Sequence, residues 1–275
     1  MSKPLIPAQR RERIREYLQV HRVARNADLS RMLGVSEATI RRDLEWLEGQ
    51  GVVERTHGGA ILSQRMRFEP AYAQRARTHP EEKRRIGAAA AALIEDGDII
   101  FLSSGTTTTQ MIPYIRPGAG ITVVTNNVSA VLEAHDPGFE LILLGGTFRP
   151  QSNSVVGRFA TAALRQIYAS KCFIGVDGIS PKYGCTVPTG VEAEIIRLMI
   201  ERTRGMVIVL ADHSKWGVVS NFEVASLDQV HKLVTDKKLN PSAFAELAAR
   251  SVEVIIAGDR QGANGSVGLT GRAPG

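Results

Sequence analysis

The sequence predicts an α/β protein of two units: a small N-terminal helical domain closed by a hairpin, then a doubly wound, mostly parallel, Rossmann-like sheet domain. Three observations carry this. Helical periodicity with turn signals fills residues 1–62, short apolar runs alternate with helical segments over 86–258, and charge is divided sharply between the two regions. The first 85 residues hold 18 of the 34 Lys and Arg but 11 of the 28 Asp and Glu, a net charge of +7 against −1 for the remainder. A basic first portion joined to a near-neutral globular one implies a polyanionic partner for the first and a different task for the second.

The totals exclude several classes. At 275 residues, 43% hydrophobic and 23% charged, the chain has the composition of an ordinary soluble protein. No window reaches the roughly 18 apolar residues of a membrane span, and Met1 to Pro7 lead into no apolar run, so a cytoplasmic location without a membrane partner is expected. Cys172 and Cys185 lie too far apart for a CxxC pair and are read as small buried residues; no metal or cofactor is expected.

The N-terminal elements follow in order. Pro7 suits the first turn of a helix in which Ile14 and Leu18 face a core while Arg10, Arg11, Arg13 and Arg15 ride along it. After an extended piece around Val23, Asn26 is placed to cap a second helix, whose Leu29, Met32 and Leu33 pack inward and which stops at Gly34, a residue suited to positive φ. Ser36 caps a third helix running to about Gly49, with Val35 and Ile40 spaced as a hydrophobic staple. On a 100° wheel Ile40, Leu44 and Leu47 share one face; Ala38 and Arg42 fall opposite, with Thr39 and Arg41 on the flanks. An isolated Arg-Arg pair reads first as solvated surface charge. What turns it into a reading face is the turn before it and the stretch after it, where residues 52–62 form two short strands around a glycine tip. Three helices and a hairpin make a winged helix-turn-helix, whose third helix fits a major groove about 12 Å wide while the wing lies on the backbone.

Val35-Ser36, Thr39-Ile40-Arg41-Arg42-Asp43-Leu44, Leu47-Glu48, Gly51 and Arg55-Thr56-His57-Gly58-Gly59-Ala60 together resemble the N-terminal signature of the DeoR family of bacterial transcription regulators. The resemblance implies an operator-binding domain over residues 1–62, usually of a repressor of carbohydrate catabolism genes, with double-stranded operator DNA as partner. Ser36, Ala38, Thr39, Arg41 and Arg42, with Arg55, His57 and Gly58 of the wing, are the expected DNA contacts. Residues 63–85, including Arg65, Arg67, Phe68-Glu69-Pro70, Arg75, Arg77 and the charged run 81–85, read as a linker, helical in its second half, whose charges form a solvated face.

From Ile86 to Gly258, buried strands are expected at 99–102, 121–125, 140–144, 171–176, 206–211, 232–235 and 252–256. In such sheets ligands sit in loops at the carboxyl ends of strands. Ser103-Ser104-Gly105-Thr106-Thr107-Thr108-Thr109 follows the first strand and opens a helix; its glycine, unpaired amides and hydroxyls suit a phosphate. Ser and Thr at a helix start also stabilise it by about 1 kcal/mol with no ligand. Thr125-Asn126-Asn127 and Gly145-Gly146-Thr147 close the next two strands. Asp177, Glu192 with Glu194, and Lys215 lie at later strand and helix ends, where an acid, a carboxylate pair and a lysine suit either polyol binding or acid–base chemistry.

These loops resemble the C-terminal effector domain of the same family over roughly residues 82–257. That domain is similar in fold to ribose 5-phosphate isomerases and takes phosphorylated sugars or related metabolites. The resemblance implies Gly105, Thr106, Thr107, Thr108 and Thr109 at the phosphate, with Asn126, Asp177, Glu194 and Lys215 around the sugar; Ser104, Thr125, Gly145 and Gly146, from the loop reading, are expected to line the same cleft. Two departures stand out. Ser103 occupies a position where the family often has Asp, and Gly184-Cys185-Thr186-Val187-Pro188 replaces the isomerases' Lys-Gly-Gly stretch, for which Lys182 is a poor substitute. Without that lysine the charge of an enediolate has no stabiliser, which points to binding without turnover. The expected protein is a homodimeric or homotetrameric regulator controlled by a phosphorylated sugar. The alternatives are an isomerase-like enzyme with an accessory DNA-binding domain, and a constitutive DNA-binding protein with an inert C-terminal scaffold. The Gly-rich stretch 259–275 reads as disordered.

Overall fold

The computed structural model describes residues 5–56, 58–65, 69–135 and 138–258. His57, Arg67, Phe68 and the stretch 259–275 lie outside the described residues, and with them the expected wing contact of His57 and the expected disorder of the tail.

The N-terminal elements are α1 (Pro7–His21), β1 (Val23–Arg25), α2 (Asn26–Leu33), α3 (Glu37–Gly49), β2 (Val53–Thr56) and β3 (Gly59–Leu62), the strands pairing antiparallel in the order β1-β3-β2. Gly34 ends α2 in the left-handed region at φ 65°, and Ser36 caps α3 by accepting the Thr39 N–H at 3.3 Å. Asn26 does not cap α2 as expected. It is the first helical residue, and its own N–H donates to Gly58 O at 2.8 Å, so the hairpin takes over the capping at this end. Ile14, Leu18, Leu29, Ile40, Leu44 and Leu47 close a core with Ala24, Val53 and Ala60.

Of the arginines on α1, Arg10 turns inward. It is buried with Asp43, whose carboxylate takes the Arg10 Nε, Arg10 Nη2 at 3.1 Å and Arg11 Nε at 3.1 Å. Asp43 stands three residues after Ile40 and four before Leu47, which puts it on the inward side of α3. Two guanidinium groups on one desolvated carboxylate therefore tie α1 to α3. Arg11 also lies over the Trp46 ring at 4.3 Å.

The chain continues through β4 (Gln64–Arg65), α4 (Tyr72–Arg77), α5 (Pro80–Ala91), β5 (Ile99–Leu102), α6 (Thr106–Thr109), β6 (Thr122–Thr125), α7 (Val128–Glu133), β7 (Glu140–Leu143), β8 (Thr147–Arg149) and β9 (Ser154–Val156). There follow α8 (Arg158–Leu164), β10 (Ala169–Gly175), β11 (Gly178–Ser180), β12 (Gly184–Val187), α9 (Gly190–Glu201), β13 (Thr203–Leu210), β14 (Val218–Val219), β15 (Phe222–Ala225), β16 (Lys232–Asp236), α10 (Pro241–Ala248) and β17 (Glu253–Ala257). The seven expected apolar runs form one sheet in the order β17-β16-β13-β10-β5-β6-β7, and every pairing in it is parallel. Side chains alternate across it. Ile100, Leu102, Val123, Phe173 and Ile208 pack on the side of α5, whereas Phe101, Val124, Cys172, Ile174 and Val207 pack on the side of α8 and α9. The strand order reverses between β5 and β10, so the loops after these two strands flank the crevice where ligands bind in doubly wound sheets. Antiparallel pieces, β8-β9 and β11-β12-β15, stand outside the main sheet.

Residues 63–85 are more built than a linker of solvated charge. β4 pairs in parallel with β14, α5 runs from Pro80 through the expected boundary at 85/86, and Lys83 is buried with its Nζ donating to Arg75 O and to Thr78 O at 2.7 Å. Burial brings the Lys83 ammonium down to about 8. Two further contacts join the halves. Ile61 of β3 packs within the larger core, and the buried Glu54 carboxylate of β2 accepts the Ser180 hydroxyl of β11, burial raising its pKa.

Removing Asp43 leaves the buried Arg10 without a counter-charge. Asp43→Ala is expected to lower the unfolding free energy of the N-terminal domain by about 3–5 kcal/mol in urea denaturation; a loss below about 1 kcal/mol would show that the pair does not hold α1 to α3.

Candidate functional site

One face of α3 is open to solvent. Ala38, Arg41 and Arg42 are exposed on it, and Ser36 and Thr39 bond to each other through their hydroxyls at 3.0 Å at its start. Arg41 Nη2 is 3.7 Å from Glu37, whereas Arg42 has no hydrogen bond or ion pair among the described residues. Arg55 of β2 is exposed beside this face, its Nη1 4.0 Å from Glu45, and Gly58 is exposed at the wing. The side chain at 38 is small, the one at 42 is a free planar fork, and the buried acid at 43 faces away from both. This is a surface on which a guanidinium can reach a base edge without first giving up a partner.

The second site lies at the crevice between β5 and β10. A small cavity there is walled by Ser104, Gly105, Thr106, Thr107, Asp177 and Lys215, joined by Arg75 from α4. Gly105 adopts φ 156° and ψ 153°, a region that side chains avoid, and the loop turns there into α6. Several of the expected ligand residues hold this loop in place. Thr108 and Thr109 donate their hydroxyls to Gly105 O at 3.0 and 2.7 Å, Thr125 donates to Leu102 O at 2.6 Å, and Asn126 Oδ1 accepts the Ser104 N–H at 2.9 Å while its Nδ2 donates to Val155 O at 3.1 Å. Thr108 and Thr125 are thus committed to backbone carbonyls, and Asn126 positions Ser104.

Three expected residues lie elsewhere. Gly145 and Gly146 are exposed and do not line the cavity, and Glu194 is exposed on α9. The inward carboxylate is Glu192, about 200° around the helix from Glu194. It is buried at the crevice, 3.4 Å from Arg149 and 2.9 Å from the Thr189 hydroxyl that donates to it. The phase was available in the sequence, because Glu192 stands three and four residues before Ile195 and Ile196, both buried.

Arg75 was hidden among charges read as solvated. Its Nη1 is 3.2 Å from Asp177 Oδ1 and its Nη2 3.4 Å from Glu69 Oε1, and its Nε is buried without a partner among the described residues. Tyr72, one turn earlier, places its hydroxyl 3.0 Å from Thr109 Oγ1, so α4 lies directly on the loop. Arg149 pairs with both Glu69 and Glu192, and Lys215 Nζ is 4.0 Å from Asp177. Three cations, Arg75, Arg149 and Lys215, therefore face three carboxylates, Glu69, Asp177 and Glu192. An anion entering here competes with Asp177 for Arg75 and Lys215 and does not merely fill a positive hole. Among the described residues no cluster of His, Cys, Asp or Glu is arranged to hold a metal, and both cysteines are buried and free, their thiols pushed up to about 12 by burial.

The two sites fall in two recognised domains. Residues 10–65 match the model of the DeoR-like helix-turn-helix domain, and residues 78–237 that of the DeoR C terminal sensor domain. The chain is similar to the HTH-type transcriptional regulator GlpR of Haloferax volcanii, with 33% identity over 251 residues covering 91% of this chain and 98% of that protein. The HTH-type transcriptional repressor GlcR of Bacillus subtilis is 34% identical over 251 residues, covering 90% and 96%. The HTH-type transcriptional regulator IolR of the same organism is 30% identical over 230 residues, covering 83% and 91%. With both domains matched in order and the likeness running nearly end to end, the chain belongs to the DeoR family of HTH-type transcriptional regulators.

Proposed function

We propose that this protein represses genes of carbohydrate metabolism by binding operator DNA through α3 and the β2–β3 wing, and that a phosphorylated sugar in the β5/β10 crevice sets its grip. The observation that carries this reading is Arg75. A cation delivered by the segment between the two domains lines a small cavity at the switch point of the sheet, so occupancy of the cavity acts on the connection to the DNA-binding domain. The relative named a repressor supports the direction of control. Paired half-sites call for paired recognition helices, hence a homodimer or homotetramer working where the DNA is, in the cytoplasm. No helix among the described residues is long and apolar enough to cross a membrane.

Binding without turnover is the reading favoured for the crevice. The stretch Gly184–Val187 is a buried strand between β11 and β15, and Lys182 lies over the Tyr183 ring at 5.2 Å. Neither supplies the cation that an enediolate needs.

Two measurements test the two halves separately. In a mobility-shift titration, Arg42→Ala is expected to weaken operator binding by about 1–3 kcal/mol, the worth of a bidentate base contact, and an unchanged affinity would remove Arg42 from the reading face. In a thermal-shift screen of three- to six-carbon sugar phosphates, one compound at 100 times its Kd is expected to stabilise the protein by about 2.7 kcal/mol. Arg75→Ala should abolish that shift at the same concentration. A screen with no stabilising compound would overturn the sensor reading and leave the DNA reading standing.

A further inference from the structure

The cavity at Ser104–Thr107 is small, about 30 Å³, room for a compact group and not for a whole sugar. Next to it opens a chamber of about 570 Å³, within the range of roughly 300–1,000 Å³ typical of ligand pockets. Asp177 and Lys215 line both spaces, which therefore meet at this ion pair. The chamber's walls come from both domains: His21, Val23 and Leu62 stand on the winged-helix side, and Trp216 on the sensor side.

Two features of the chamber point to a hydroxylated anion, and a third joins it to the DNA-binding domain. Its lining carries the cations Arg22, Lys215 and Lys238 and one carboxylate, Asp177; Lys238 is also held by Glu82 at 2.6 Å, so an anion is drawn chiefly to the Lys215 end. Trp216 is 8% exposed, and its indole N–H has no acceptor among the described residues, leaving in the wall a donor that a hydroxyl oxygen would satisfy. The short 3-10 turn His213–Lys215 leads into a stretch that touches the other domain. At Gly217 a Cβ would stand 2.5 Å from Ile61 Cγ2, and β14, which follows, pairs with β4. Whatever contacts Lys215 and Trp216 thus lies against the elements that seat the winged helix.

We propose that the effector site is shared between the two domains, with the phosphate at Ser104–Thr107 and the sugar in the chamber against His21, Val23 and Leu62. This rests on the sugar-phosphate reading above and deepens it. The DNA-binding domain is itself part of the ligand site, so an arrangement that swings it away from the sensor domain forfeits half of the ligand's contacts. The ligand then acts as a clamp, and its differential affinity for the two arrangements comes from direct contact, with no relay through the sheet.

His21 is exposed in the last turn of α1, where a larger side chain projects into the chamber without entering a core. Full-length protein and His21→Trp are titrated calorimetrically with inorganic phosphate, glycerol 3-phosphate, ribose 5-phosphate, glucose 6-phosphate and fructose 1,6-bisphosphate. The shared site predicts that His21→Trp weakens the pentose and hexose phosphates at least tenfold, while inorganic phosphate and sugar-free operator binding stay as in the wild type. Because Tyr17 stacks on His21 at 4.2 Å, the wild type supplies a second readout that requires no substitution. Amide exchange at residues 22–24 and 61–63 should slow when the sugar phosphate that binds tightest is added. Equal sugar-phosphate affinity in both proteins, with unchanged exchange at those amides, overturns the shared site while leaving a sensor-domain site in place. A wild type that binds none of the sugar phosphates overturns the underlying reading itself.

Discussion

The Asp177 carboxylate is the point on which the two halves of the molecule meet. Arg75 of the interdomain segment approaches it at 3.2 Å and Lys215 at 4.0 Å, and each cation belongs to a stretch of chain with business elsewhere. Arg75 rides on α4, held on one side by Tyr72 at the α6 loop and on the other by the buried Lys83. Lys215 leads through Gly217 into β14, which pairs with the strand just beyond the wing. Both cations are largely buried, so their interaction with Asp177 is stronger than at a wet surface, and so is the disturbance when another anion competes for them. Sheet topology supplies the rest, since β10 delivers Asp177 to the crevice that β5 delivers the glycine loop to.

The DNA-binding domain solves a different problem with the same chemistry. A helix that must present arginines outward needs an orientation that does not depend on those arginines. Asp43 meets that need from the opposite side of α3, where Arg10 and Arg11 hold it against α1. Consecutive residues on one helix thus divide the labour: Arg42 has no partner among the described residues, and Asp43 is enclosed. The charge that distinguishes the first 85 residues is accordingly of two kinds, and only part of it is available to a phosphate backbone.

Much of this was legible in the sequence wherever the signal was local. The Gly34 turn, the Ser36 cap, the Ile40–Leu44–Leu47 stripe and the seven apolar runs each depend on residues within one or two turns of each other, and each has its counterpart in the structure. The loop from Ser104 to Thr107 was legible too, as a glycine and hydroxyls at a strand end. What escaped depends on partners far along the chain. Arg10 meets Asp43 across 33 residues and Arg75 meets Asp177 across 102, and no periodicity reports such pairs. Thr108 and Thr125 looked like ligand donors because a free hydroxyl and one spent on a nearby carbonyl are the same letter. Glu192 and Glu194 are a different case, because the phase set by Ile195 and Ile196 is written in the sequence and turns Glu192 inward while leaving Glu194 exposed.

If operator and sugar phosphate are linked through one chain, the linkage is reciprocal: the factor by which a sugar phosphate changes operator affinity equals the factor by which operator DNA changes sugar-phosphate affinity. Measuring the Kd of the strongest-binding sugar phosphate with and without saturating operator DNA tests this most directly. A change of roughly 5- to 150-fold, typical of allosteric coupling, is expected, matched by the shift in operator affinity. A sugar-phosphate Kd that is the same with and without DNA would contradict it.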